Sequence, residues 1–253
     1  MSWTGQVFRY CERGVDPAFW AEPLNAVSNL AFVVGAAWGL REIRAERRRG
    51  TRGPFYAEVA LTLLVAVIGG GSFLFHTFAT RWAMIADVAP IGAFMIAYLA
   101  YALRTLLRLS WPATAVGLVV FVAALKAMGE VQCQRSGLLG IAEASRGPCL
   151  NGTLGYLPAW VAMAGVGAVL WVRGHAGARL LLAAAGLFLA SMAMRTIDLE
   201  ICPSTRLAGR ALGTHFMWHL ANAATLTLLL AAAIRGRRTA ARDSSGQARR
   251  LPL

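Results

Sequence analysis

Long apolar segments separated by short polar ones run along almost the whole chain. A helix that crosses a membrane needs about 20 mainly apolar residues. Seven segments of that kind follow one another, roughly residues 22–42, 56–78, 83–107, 112–130, 153–173, 178–198 and 211–234. The pattern predicts an all-α fold, an integral membrane bundle of seven transmembrane helices. Residues 1–234 form this domain, and residues 235–253, rich in Arg, Ser and Gly, are predicted to be a basic, disordered tail.

The composition narrows the class of protein further. Of the 253 residues, 57% are hydrophobic and 15% are charged, against about 45–50% and about 25% in soluble domains. This excludes an ordinary soluble protein. The net charge of +13 raises the question of nucleic-acid binding, but the basic residues lie mostly in short loops and the tail. We find no basic helix or aromatic-basic ladder, and we therefore expect no nucleic-acid partner.

The arginines also predict how the bundle is oriented. Basic residues are concentrated in segment 41–52 and after residue 234, and loops rich in Lys and Arg stay on the cytoplasmic side. We therefore expect a cytoplasmic C-terminus and, with seven spans, an N-terminus outside. The preference for Arg over Lys and the high Ala content favour a bacterial protein of the inner membrane.

All four cysteines fall on the side predicted to be external. They are Cys11, Cys133, Cys149 and Cys202. Disulfides persist in oxidising compartments such as the periplasm, so their shared side agrees with the orientation. Four cysteines allow three pairings, and the spacing alone does not choose among them.

Three of the four histidines are predicted to meet near that external side. His215 and His219 are four residues apart on the seventh helix and share a face, while His76 lies near the outer end of the second. Three imidazoles with one open position are a common arrangement for catalytic zinc. Ser72 and Asp87 lie at the same depth, and ionisable groups within spans are generally functional. The alternative is a set of interhelical hydrogen bonds that stabilise the bundle.

Several short motifs resemble those of the alkaline ceramidases, which belong to a wider group of seven-helix membrane hydrolases that includes adiponectin-receptor-like proteins. The first is Tyr10-Cys11-Glu12, followed by the segment at residues 21–30. The second is Gly71-Ser72 with His76 and the downstream Asp87, and the third is the H-x-x-x-H of residues 215–219. Together these motifs extend over almost the whole chain.

The resemblance implies a zinc-dependent hydrolase, and the orientation predicted from the arginines places its active site toward the periplasm. His76, His215 and His219 would hold zinc, which lowers the pKa of bound water toward about 7. Asp87 would act as general base and then as general acid, and Ser72 would stabilise the oxyanion. The substrate would be a membrane lipid, ceramide or another N-acyl lipid, with its acyl chain in an apolar cavity. The resemblance also pairs Cys11 with Cys202, and Cys133 with Cys149.

The same family implies a calcium site before the first helix, which would use Tyr10, Glu12, Asp16 and Glu22. Here the chain departs from the family pattern, because Arg9 and Gly14 replace oxygen-bearing residues. Calcium prefers several oxygen ligands, and a neighbouring arginine opposes its binding. The alternative is that the two glutamates form ion pairs with Arg9 or Arg13.

The sequence leaves two alternatives to the lipid amidase. One is a lipid esterase on the same scaffold, and the other is a seven-helix receptor or channel-like protein whose histidines are structural. A hydrolase requires a bound metal and a lipid-sized cavity, and a receptor requires neither. Arg195 and Asp198, three residues apart, are predicted to form an ion pair with each other or with a neighbour.

Overall fold

Among the described residues of the computed structural model, seven helices are long and apolar enough to cross a membrane. The structure describes residues 2–51, 53–135 and 145–248, and the seven spans confirm the predicted helical bundle. The α-helices are α1 (Pro23–Ser28), α2 (Leu30–Arg48), α3 (Tyr56–Phe78), α4 (Arg81–Tyr101), α5 (Trp111–Glu130), α6 (Leu157–Val172), α7 (Ala178–Ile197) and α8 (His215–Ala248). The short strands are β1 (Gln132–Arg135), β2 (Ser145–Pro148), β3 (Arg206–Leu207) and β4 (Arg210–Ala211).

The first span consists of α1 and α2, which meet at Asn29. Pro23 begins α1, where its missing N–H is not needed. The Glu12 carboxylate accepts hydrogen bonds from the N–H groups of Leu24 and Asn25, both at 2.8 Å. The start of the first span is therefore fixed by a side chain from the N-terminal segment.

The ends of two spans differ from the prediction. Helix α2 continues to Arg48 through a stretch that we expected to be a loop, and the buried Glu46 forms an ion pair with Arg49 there. Arginine, glutamate and alanine are good helix formers, so the charged segment extends the helix beyond the apolar stretch. Helix α8 begins at His215, later than expected, because β3 and β4 form a small hairpin before it.

The tail also differs from expectation in part. The backbone of α8 continues to Ala248, into the segment that we predicted to be disordered, whereas residues 249–253 lie outside the described residues. The alanines and arginines of this segment favour helix. The helical domain and the tail are therefore joined by one continuous helix as far as residue 248.

Both predicted disulfides are present. Cys11 is joined to Cys202, and Cys133 is joined to Cys149. Cys133 lies opposite Gly147 in the antiparallel β1–β2 hairpin between α5 and α6. All four cysteines lie at one end of the bundle together with residues 2–22 and 198–214. We call this end the N-terminal side.

Helix α8 lies at the centre of the bundle and packs chiefly against α2 and α7. Its residues Leu230, Ala232, Ala233 and Ile234 are almost fully buried. By contrast, α5 exposes a row of valines that includes Val116, Val119 and Val120. An apolar outer surface of this kind is expected of a helix that faces lipid, so α8 supplies the core and α5 lies at the periphery.

Candidate metal centre

Three buried histidines from two helices meet near the N-terminal side of the bundle. His76 comes from the last turn of α3, while His215 and His219 come from the first two turns of α8. One ring nitrogen from each lies within 4.8 Å of the others. Among the described residues, this is the one group of three or more His, Cys, Asp or Glu side chains that is close enough to share a metal ion.

The orientation of His76 is fixed by a carboxylate. Its Nδ1 lies 2.5 Å from Oε2 of Glu22, and its buried Nε2 has no hydrogen-bond partner among the described residues. A carboxylate on one imidazole nitrogen fixes the tautomer that leaves the other nitrogen free for a metal. His76 therefore presents a buried Nε2 that has no hydrogen-bond partner among the described residues.

The other two histidines are held by different neighbours. Nδ1 of His219 lies 2.8 Å from the hydroxyl of Ser28, at the end of α1. The ring of His215 stacks on Tyr10, with ring centres 3.6 Å apart, and its buried Nδ1 has no partner among the described residues. Two of the three rings thus carry a buried nitrogen without a partner, which is costly unless a ligand binds there.

These residues fit a zinc ion. Zinc binds histidine nitrogen at about 2.0–2.1 Å in tetrahedral sites, which places two such nitrogens about 3.4 Å apart. Binding would therefore draw the three rings slightly closer together than the 4.8 Å limit observed. Three histidine ligands would leave a fourth position open, as catalytic zinc sites do.

Asp198 positions the start of α8, and with it His215. Its Oδ1 accepts hydrogen bonds from the N–H groups of Thr214 and His215 at 2.8 and 2.9 Å, and its Oδ2 accepts one from Cys11 at 3.0 Å. Burial raises the pKa of Asp198, although the three N–H donors oppose this. Of the two alternatives predicted for Arg195 and Asp198, pairing with each other or with a neighbour, the structure shows the second: backbone N–H groups occupy the Asp198 carboxylate, and Arg195 donates to the Tyr10 hydroxyl.

Gly213 makes this arrangement possible. It has a positive φ of 61°, and a Cβ at this position would overlap the Asp198 carboxylate and lie 2.7 Å from the Cβ of Cys11. Only glycine lacks both the conformational restriction and the side chain. The sequence pattern did not predict this role of Asp198. The signal was Gly213-Thr214 directly before the histidine motif, a pattern typical of a helix start.

Ser72 and Asp87 lie beside the histidines because α3 and α4 touch at Gly71. A Cβ on Gly71 would overlap the carbonyl oxygen of Ala86 and lie 3.2 Å from the Asp87 nitrogen. Both side chains are buried, and the Asp87 carboxylate lies near the Ser72 hydroxyl and near His76. The structure thus brings together all five residues predicted for catalysis and metal binding.

The residues predicted to bind calcium have protein partners instead. Oε1 of Glu22 pairs with Arg13 at 2.5 Å, and its Oε2 also accepts a hydrogen bond from Asn25. Burial would raise the pKa of Glu22, but His76, Asn25 and Arg13 together hold it below its usual value. Asp16 accepts from the N–H of Ala18 in its own loop.

The remaining calcium candidates are engaged in the same way. Glu12 caps α1, and the carbonyl of Tyr10 accepts from the N–H of Gly14 at 3.2 Å. The ion pair of Glu22 with Arg13 is one of the alternatives that the sequence left open. Calcium binding itself stays a prediction.

The guanidinium of Arg13 connects the N-terminal segment to the end of α3. Besides Glu22, it donates to the carbonyls of Asp16 and Ala18 on one side, and to those of His76 and Thr77 on the other. All of its donors are used. Arg13 therefore binds two groups at the site: the Glu22 carboxylate, which orients the His76 ring, and the backbone carbonyl of His76.

An apolar cavity lies directly inward of the site. Ile68 in its lining comes four residues before Ser72, and Ile91 comes four residues after Asp87. Asn222, also in the lining, comes three residues after His219. The cavity therefore begins about one helical turn from the site. Its volume is about 70 Å³, which is smaller than an acyl chain requires. Binding of such a chain would therefore have to displace side chains of the wall, among which Met95 and Met163 are flexible.

No protein-family model matches the chain, and no curated protein matches it significantly. The functional interpretation therefore depends on the residues and their geometry.

Proposed function

We propose that this protein is a zinc-dependent intramembrane amidase that hydrolyses the N-acyl bond of ceramide or a related lipid amide. The observation that supports this most directly is the convergence of three buried histidines beside Asp87 and Ser72, with buried ring nitrogens that lack a protein partner. Structural histidines normally have all their buried polar atoms satisfied. A ligand that binds at this site would satisfy the two ring nitrogens that lack a partner, Nε2 of His76 and Nδ1 of His215.

The supporting residues strengthen this interpretation. Glu22 and Ser28 each occupy the Nδ1 atom of a candidate ligand, His76 and His219 respectively. Such outer hydrogen bonds are typical of metal sites, where they fix the ring orientation. A bundle held together only by polar side chains has no need to leave Nε2 of His76 and Nδ1 of His215 without a partner.

Bound zinc would supply Lewis-acid chemistry, which makes water a nucleophile at neutral pH. Asp87 then accepts the proton of the attacking water and passes it to the amine nitrogen as the carbon–nitrogen bond breaks. Ser72 donates a hydrogen bond to the oxygen of the amide carbonyl as negative charge develops on it. The products are a fatty acid and a free amine, and the apolar cavity inward of the site takes the acyl chain.

We place the N-terminal side outside the cytoplasm, in the periplasm of a bacterial cell. Two features support this orientation: the arginines concentrated at the opposite end of the bundle, and the two disulfides on the N-terminal side. Positive loops favour the cytoplasm, and disulfides favour oxidising compartments.

The first test compares metal content and fatty-acid release for the purified wild type, His219→Ala and His175→Ala. His175 is a matched control, because it lies at the opposite end of the bundle, between α6 and α7. We expect about one zinc per chain in the wild type and in His175→Ala, and loss of both zinc and ceramide hydrolysis in His219→Ala.

Each other outcome has a definite meaning. Zinc without turnover of ceramide, but with turnover of lipid esters, assigns the esterase function to the same site. Absence of metal from protein purified without chelators, together with absence of turnover, would overturn the proposal and leave a receptor or channel with structural histidines.

A further inference from the structure

A second cavity opens on the N-terminal side of the bundle, outside the histidine cluster. Its volume is about 600 Å³, within the range of about 300–1,000 Å³ that is typical of small-molecule sites. Residues of the N-terminal segment and of α7 line it, among them Val7, Arg9, Tyr10 and Arg195. Because Tyr10 also stacks on His215, this residue forms a common wall between the outer cavity and the candidate metal centre.

Arg195, in the last turn of α7, brings a positive charge into that wall. Its Cζ lies 5.4–5.6 Å from the ring centres of Tyr10, Tyr156 and Trp218. Nη1 donates a hydrogen bond to the Tyr10 hydroxyl at 3.2 Å, while the buried Nε has no partner among the described residues. Two carboxylates, Asp87 and Asp198, lie near enough to attract this charge, but neither accepts a hydrogen bond from it among the described residues, and Asp198 is occupied by backbone N–H groups.

A guanidinium in such a setting has unused capacity for an anion. Burying a cation without a hydrogen-bonded carboxylate is costly, and contacts with aromatic faces offset only part of that cost. The planar fork of donors on arginine matches carboxylate and phosphate groups.

The two cavities lie on opposite sides of the candidate metal centre. The inner one is apolar and begins about one turn inward of Ser72, Asp87 and His219. The outer one contains Arg9 and Arg195 and lies beyond Tyr10. A lipid amide with its acyl chain in the inner cavity and its carbonyl at the site would direct its amine portion toward the outer cavity.

We infer that, among the lipid amides of the proposed function, the preferred ligand of this protein carries an acidic group, a carboxylate or a phosphate, on the amine side of its amide bond, and that Arg195 binds this group. The inference rests on the proposed function for the hydrolysis of such a ligand, but binding can be measured separately. The ligand class is therefore an N-acyl amino acid or a phosphorylated N-acyl amine.

The test uses three probes with the same acyl chain: N-oleoylethanolamine, N-oleoylglycine and N-oleoylethanolamine phosphate. The affinity of each is measured on the purified full chain by quenching of tryptophan fluorescence, and hydrolysis is followed in parallel. The variants are Arg195→Gln, Arg195→Lys and, as a matched control, Arg206→Gln, since Arg206 is exposed on β3 at the same side.

We expect the wild type and Arg206→Gln to bind at least one acidic probe roughly ten-fold or more tightly than the neutral one. Arg195→Gln should lose this preference while it still binds the neutral probe, and Arg195→Lys should retain part of it. A purely structural Arg195 would instead weaken the binding of all three probes equally.

The outcomes separate this inference from the proposed function. Equal affinity of the wild type for all three probes overturns the inference, and so does a preference that survives in Arg195→Gln. If Arg195→Gln does not fold, the wild-type comparison and Arg195→Lys still decide. Selective binding without any hydrolysis supports the inference and contradicts the amidase, whereas equal hydrolysis of neutral and acidic probes supports the amidase alone.

Discussion

Oε2 of Glu22 lies 2.5 Å from Nδ1 of His76, although 54 residues separate the two along the chain. The other oxygen of the same carboxylate pairs with Arg13. Both carboxylate oxygens are therefore engaged, one by the imidazole and one by a guanidinium. Glu22 thus acts as a positioning residue for the candidate metal centre.

Replacing Glu22 with Gln should weaken metal binding. His76 and Arg13 lie at different oxygens of the Glu22 carboxylate, and in glutamine one of these oxygens is replaced by an NH2 group, so one of the two contacts is lost. Loss of such an outer contact typically lowers metal affinity 10–100-fold. The measurement is a zinc titration against a competing chelator. Asp16→Asn is the control, since Asp16 is exposed and bonds only within its own loop. Equal zinc affinity in wild type and Glu22→Gln would show that Glu22 has no role in the site.

Gly71→Ala should disrupt the contact of α3 with α4, because the added methyl group overlaps the Ala86 carbonyl. The displacement moves Ser72 away from Asp87, so we expect at least a ten-fold loss of hydrolysis and a lower melting temperature. Gly70→Ala is the matched control: a Cβ there meets nothing within 4 Å, and alanine in a helix is slightly more stable than glycine. Similar activity in the two variants would contradict the proposed role of this close approach.

Asp198→Asn should destabilise the protein by roughly 1–3 kcal/mol, the cost of leaving a buried hydrogen-bonding group unsatisfied. The amide nitrogen of asparagine cannot accept the N–H of Cys11 or of His215, so one of these bonds is lost. Thermal unfolding in detergent measures the change. If Asp198 served instead as the ion-pair partner of Arg195, Arg195→Gln would lower the melting temperature by a similar amount, and the double variant would add little.

The two disulfides should contribute unequally. Cys11–Cys202 closes a loop of 191 residues and Cys133–Cys149 one of 16, and a longer closed loop restricts the unfolded chain more. The double variant Cys11→Ser/Cys202→Ser should therefore lose more thermal stability than Cys133→Ser/Cys149→Ser. It should also bind zinc less tightly, because Cys11 follows Tyr10, which covers His215. An equal loss of thermal stability in both double variants would contradict the prediction that the longer loop contributes more.

Much of the fold was predictable because a membrane leaves few alternatives. Apolar segments of about 20 residues must form helices in lipid, and the seven predicted spans match the observed ones closely. The errors occur at helix ends. Helix α2 continues to Arg48 and α8 starts at His215, since there propensity and local hydrogen bonds, rather than hydropathy, decide the boundary.

The sequence by itself determined the helices, the shared depth of His76, His215, His219, Ser72 and Asp87, and the single side on which all cysteines lie. Each follows from periodicity and segment length, which are local properties. Only the tertiary structure decided that Glu22 orients His76, that Asp198 begins α8, and that Arg195 lies among three aromatic rings beside a cavity. These contacts join residues far apart in the chain, and their partners depend on how the helices pack, which no local pattern specifies.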